Sequence, residues 1–169
     1  MTRSSLSIAA ILIGLLMASV QQTTSELRRL DGAAGSPDEL VRRFLDGLAR
    51  NEPDEVRRLA LSEEEFRKFV WPELPSADPR RNLTAEFVWG NLNIRSESNL
   101  HSMMAAIGGR RFIFEEIRFT GEVTQYETYR VHRGSLLALM DEVGERQDVR
   151  LFGSVLELDG QFKIFSFNR

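Results

Sequence analysis

Two histidines, two tyrosines and two tryptophans are the side chains of this 169-residue chain best suited to chemistry or ligand stacking. His132 falls on a predicted strand, where period two puts Thr128 and Arg130 on its face and Tyr129, Val131 and Arg133 on the other. An imidazole there suits a general base near neutral pH. The sequence pairs it with no carboxylate, and a half-exposed strand histidine among arginines would look the same. His101 lies on the polar side of a predicted helix. A metal site needs three or four convergent ligands, and no His-x-x-x-His or matching acidic pair is present, so neither a metal nor a cofactor is expected. Ser96 and Ser98 lack the glycines of a nucleophile elbow, and Ser98 reads as a helix N-cap. Asn82-Leu83-Thr84 matches a glycosylation acceptor, which matters only in a eukaryotic secretory pathway. Trp71, Trp89, Tyr126 and Tyr129 could line a pocket for a small apolar ligand between helices and a concave sheet face. Large aromatics in a domain without disulfides serve equally well as core.

Charge narrows the partners. The formal net charge is −3, without the basic excess typical of nucleic-acid-binding domains, so no nucleic acid is expected. Lys68 and Lys163 are the only lysines, and arginine doublets recur at 28–29, 42–43, 57–58, 80–81 and 110–111. Guanidinium forks suit anions, but at helical spacing beside Glu and Asp they read first as solvated faces.

The N-terminus carries an address. Arg3 precedes an uncharged apolar run, Ile8–Val20, and a polar exit, Gln21-Gln22-Thr23-Thr24-Ser25. A run of roughly 13 residues fits a secretory signal over residues 1–25, where a spanning helix needs about 20. The mature chain is therefore expected to be periplasmic or extracellular. A membrane enters only through this leader if it stays uncleaved. With no cysteine, neither a lipidated N-terminal Cys nor a disulfide is available, so stability must come from burial alone.

Residues 26–35 read as a flexible linker and residues 36–169 as one domain. Ser36-Pro37-Asp38-Glu39 is a capping box with proline at the first helical position, ahead of an apolar stripe at Leu40, Val41, Phe44, Leu45 and Leu48. Pro53-Asp54-Glu55 opens a second helix. Ser62-Glu63-Glu64-Glu65 opens a third, which Trp71-Pro72 should end. The spacing allows helix or strand over residues 83–95, followed by a helix from Ser98 to a stop at Gly108-Gly109. Strands are expected at about 111–120, 125–142, 146–158 and 161–168, with hairpins at Asp159-Gly160 and Glu142–Glu145 and a bend at Gly134. The fold class is α+β, with N-terminal helices packed on a curved C-terminal antiparallel sheet of about four strands.

That element order, with the terminal Asp159-Gly160-Gln161-Phe162-Lys163-Ile164 strand entry, resembles the nuclear transport factor 2-like superfamily over residues 36–169. The resemblance implies a cone-shaped α+β fold, with an early strand that residues 83–89 would have to supply. A cystatin-like or other helix-on-sheet arrangement is open if they are helical. It also implies either a noncatalytic binding or accessory domain or a small cone-pocket isomerase or dehydratase. Apolar residues on both sheet faces, Phe112 and Phe114 against Ile113 and Leu136 to Met140, predict a homodimer through the outer sheet face.

Overall fold

The computed structural model describes residues 28–167. The expected leader, residues 1–25, lies outside the described residues. Helix α1 (Pro37–Ala49) starts as its cap predicts: the Ser36 hydroxyl accepts the Glu39 N–H at 3.1 Å, and the Glu39 carboxylate accepts the Gly35 N–H at 2.8 Å. Its stripe of Leu40, Val41, Phe44, Leu45 and Leu48 is buried. Helix α2 (Pro53–Arg58) follows. Helix α3 (Glu63–Glu65) opens with a complete capping box between Ser62 and Glu65 and runs on as a π-helical turn, Phe66–Val70. Three 3₁₀ turns then lead to Arg81.

Helix α4 (Ala85–Ile107) resolves the ambiguous segment. Thr84 is its N-cap, accepting the Phe87 N–H at 3.2 Å, so the predicted cap Ser98 is an interior residue instead. Gly90 does not break the helix: a Cβ there would meet nothing within 4 Å, and the residue costs only its propensity, about 1 kcal/mol. Because Thr84 caps the helix and residues 85–89 are helical, no early strand forms from residues 83–89.

Seven strands follow: β1 (Ile113–Phe119), β2 (Val123–Gln125), β3 (Tyr129–Arg133), β4 (Ser135–Met140), β5 (Arg146–Val149), β6 (Phe152–Leu158) and β7 (Gln161–Phe167). They form two antiparallel sheets, β1-β4-β5 and β2-β3-β6-β7. The α+β class holds, while the single four-stranded sheet is corrected: expected strand 125–142 breaks at Gly134 into β3 and β4, and 146–158 breaks at Arg150 into β5 and β6. Gly134 sits at φ +69°, and a Cβ there would lie 2.7 Å from the Thr120 hydroxyl and 2.9 Å from the Gly121 nitrogen. Hydrogen bonds still cross the fold line, from Thr120 to Gly134, Gly121 to Arg133 and Gly134 to Gly153. The two sheets are thus halves of one bent surface. Asp159 and Gly160, both at positive φ, close the β6–β7 hairpin as such turns require.

Two cores fill this frame. One joins α1, α2 and the second half of α4 to the bent sheet, with Phe44 edge-on to Phe152 at 5.4 Å. The other packs Leu30, Leu61, Phe66 and Val70 on the opposite face of β3 and β6, against Tyr129, Val131, Leu156 and Leu158. The expected linker is corrected from Arg28 onward. Leu30 and Ala34 are buried, and Ala34 exchanges both backbone hydrogen bonds with Phe162. Ile164 likewise bonds Leu59 and Leu61, so the free edge of β7 is paired on two stretches, which protects it from another chain. The little apolar content seen in 26–35 hid the two residues that hold it down.

The outer face of the β1-β4-β5 sheet is less bare than the alternation suggested. Arg118 of β1 reaches Asp148 of β5 at 2.6 Å, and Arg146 of β5 reaches Glu115 of β1 at 2.7 Å, so both pairs cross over the central strand β4. Beneath them Ala138 is fully buried and Leu136 and Met140 are half-buried. Phe112 and Phe114 pack into the first core. Ile113 is the large apolar residue that stays exposed on this face.

Candidate functional site

The pairing of β7 with Leu59–Leu61 sets α2 and α3 on one side of that strand, and α4 packs on it from the other. Between them lies a groove of about 880 Å³. Leu61, Phe69, Trp89, Leu92, Phe165 and Phe167 give it apolar walls. Arg29, Asp31, Glu64 and Lys68 border it and bring two charges of each sign. Arg57 bridges its two sides, bonded to Asp54 of α2 and to Glu97 of α4 at 3.0 Å, and Glu97 above all raises the guanidinium pKa further.

The groove floor is a closed polar network. Lys163 of β7 and Glu65 of α3 are buried at 3% and 8% side-chain exposure. The ammonium donates to both Glu65 oxygens, at 3.1 and 2.8 Å, and to the Asp31 carbonyl at 2.8 Å. Glu65 Oε1 also accepts the Asp31 N–H and Oε2 the Ser62 N–H, each at 2.8 Å. An ammonium has three protons, and all three are used. Ser96 accepts the Phe167 N–H at 3.0 Å. These groups hold backbone in place. Sequence reasoning passed over Glu65 and Lys163, although a lysine between Phe162 and Ile164 in a strand flanked by buried positions is a readable sign of a buried charge.

Of the four aromatic candidates only Trp89 reaches the groove, and its ring also lies 5.3 Å from Phe66. Trp71 packs on the same Phe66 at 6.3 Å, within the second core. Tyr129 is buried, donates its hydroxyl to the Val70 carbonyl at 3.3 Å and stacks on Tyr126 at 4.4 Å. Burial, with smaller contributions from Tyr126 and Glu73, pushes the Tyr129 phenol well up. The expected shared pocket is therefore filled by the aromatics themselves.

His132 is on the other face of β3 from Tyr129. Its Nε2 is 2.7 Å from Glu157 Oε2, which also has Arg130 at 3.6 Å. The ring packs 4.8 Å from that of Phe119 and 6.4 Å from that of Phe162, leaving 16% of the side chain exposed. Neither the groove nor the shallower cavity beside Gly32 and Gln161 includes it. The carboxylate that the sequence failed to supply comes from β6, where Glu157 pairs with Arg130, one step diagonal to His132. The link needs the strand register, which no local spacing contains. His101 is exposed on α4. Among the described residues no three His, Asp or Glu side chains converge as a metal site, and no helix is long and apolar enough to cross a membrane.

No family model, curated protein or solved structure matches the chain.

Proposed function

We propose that this chain is an exported, noncatalytic binding domain whose groove over β7 takes an apolar or amphipathic ligand. The observation that carries the reading is the groove itself: an open, aromatic-walled cleft of about 880 Å³ over a floor where Lys163, Glu65 and Ser96 bond to one another or to backbone. Such a cleft offers contact area and a few rim charges, which is what a binding site needs and a catalytic site does not stop at. The leader pattern supports export. Helices first and a bent antiparallel sheet last support kinship with the nuclear transport factor 2-like group, whereas the helix that starts at Ala85 favours another helix-on-sheet arrangement. Self-association through the outer sheet face would have to use Ile113 and the charged pairs around it.

The test is groove filling. Asn93→Trp, with a bulky side chain on the α4 wall, should remove a ligand that co-purifies with the chain from its host, as read by native mass spectrometry. Retention of the ligand by a folded Asn93→Trp variant would refute the groove as its site.

One observation favours the alternative, a small proton-transfer enzyme: the 2.7 Å contact that orients His132 by a carboxylate. Against it stand the packing of the imidazole beside Phe119 and the placement of Tyr129 across the strand.

A further inference from the structure

A surface strap joins the two walls of the groove. Helix α3 with its π-helical turn stands on one side and α4 on the other, and residues 71–81 run between them as three 3₁₀ turns. Residues 79–84 are exposed without a break, the longest such run among the described residues. They include the doublet Arg80-Arg81, and the Arg80 side chain is 89% exposed although it meets Asp78. The backbone there is tied only to its own neighbours. Arg80 donates its N–H to the Asp78 side chain at 2.9 Å, Arg81 to the Asp78 carbonyl at 2.9 Å and Asn82 to the Pro79 carbonyl at 3.2 Å. Asn82, at φ 50°, ends the last turn in the left-handed region. Opening this stretch breaks short-range hydrogen bonds and uncovers little, which places it at the low end of local stability, where proteases act.

The other four arginine doublets are held by the fold. Residues 42–43 and 57–58 lie within α1 and α2. At residues 110–111, Arg111 donates its N–H to the Glu142 carboxylate at 3.3 Å, and the preceding Gly109 donates to the Leu48 carbonyl at 2.9 Å. At residues 28–29 the Arg28 carbonyl accepts the Gln161 side chain at 2.9 Å. We propose that the bond between Arg81 and Asn82 is a proteolytic processing site, cut by a trypsin-class serine protease to a two-chain form that stays folded. Hydrolysis adds one water across that C–N bond, so Arg81 ends in a carboxylate and Asn82 begins with a protonated α-amine. The cut falls between pieces that the fold already joins. Across it Lys163 bonds Glu65 and the Asp31 carbonyl, Phe162 exchanges hydrogen bonds with Ala34, Ile164 bonds Leu59 and Leu61, and Phe152 packs on Phe44. Helices α2 and α3 then belong to one fragment, α4 and β7 to the other, and the groove walls lose their strap while keeping their floor.

Limited trypsin digestion of the full chain without denaturant, read by intact mass, tests the bond. Within residues 30–169 the first cut falls after Arg81, and the two fragments elute together from size exclusion with the circular dichroism of the uncut chain. Arg80→Gln with Arg81→Gln removes this cut. Arg80→Gln with Arg81→Lys restores it, because the acidic primary pocket of the protease takes either cation, whereas a loss caused by refolding of the strap would not be rescued. A first cut at any other bond of residues 30–169 overturns the proposal, and so does a cut chain whose fragments separate or lose helix. Material from the native host decides whether the bond is used: N-terminal labelling finds Asn82 as a free α-amine. A host chain intact at this bond overturns processing there, whatever trypsin does to it.

Discussion

Two acid–base pairs occupy opposite faces of the same strands. Lys163 and Glu65 lie under the groove on the face of β6 and β7 that carries Leu156, sealed from water and bonded at every ammonium proton. His132 and Glu157 lie on the other face at 16% and 18% exposure, with an aromatic neighbour and a single hydrogen bond between them. The first pair ties three distant pieces of chain together: the segment at Asp31, the cap at Ser62 and strand β7. The second ties only two neighbouring strands that the sheet already pairs. Burial and connectivity therefore divide the two: one fixes the groove, and the other can be lost with little change to the fold.

The largest expected effect follows from that division. Lys163→Met leaves Glu65 enclosed without its cation, and removing one partner of a buried pair costs about 3–5 kcal/mol. Replacing both, as Glu65→Leu with Lys163→Met, should recover much of the loss because no uncompensated charge remains. Measured by urea unfolding alongside these variants, His132→Ala should cost about 1 kcal/mol, the range of a partly exposed pair. Equal losses for Lys163→Met and His132→Ala would erase the contrast between the two sites.

Legibility in the sequence followed the range of the interaction. Ser36, Ser62 and Asp159-Gly160 act within three or four residues of themselves, and the structure places each as a cap or turn where its spacing says. The four long strands were visible as composition, but their division into two sheets depends on Gly134 meeting Thr120 and Gly121, a contact set by pairing and not by neighbours. The same holds for the site. Trp89 could be named from its type, whereas the floor of the groove it lines depends on Lys163 finding Glu65 98 positions away. Ser98 shows the converse error: a good local cap was overruled by an earlier one at Thr84, and helix continued through it.

A middle-sized effect sharpens the comparison through pH. Tyr129 shares the enclosed face with Lys163, and its phenol is pushed up mainly by burial. An ordinary tyrosine ionises near 10. Above that pH the unfolded chain loses this proton while the folded one keeps it, so stability is whole below about pH 10 and falls as the pH rises beyond it. Tyr129→Phe removes this dependence and also the hydroxyl bond to Val70, at about 1 kcal/mol near neutrality. The variant should be the less stable protein at pH 7 and should lose less of its stability between pH 10 and 11. Parallel urea midpoints for the two proteins across that interval would contradict the assignment of a buried, neutral phenol.

The smallest effect has the opposite sign. Ser135 begins β4 directly across from Phe119, the ring that packs on His132, and it is 1% exposed. Its hydroxyl is the one buried side-chain N or O atom without a hydrogen-bond partner among the described residues. A desolvated, unpaired hydroxyl opposes folding, since water satisfied it in the unfolded chain. Ser135→Ala keeps the Cβ and removes that penalty, although alanine is the weaker strand former, by a few tenths of a kcal/mol. The balance favours the variant by about 0.5 kcal/mol. Thermal melts that place Ser135→Ala well below the parent would mean that the hydroxyl has a partner and that the His132 side of the strands is wetter than its packing indicates.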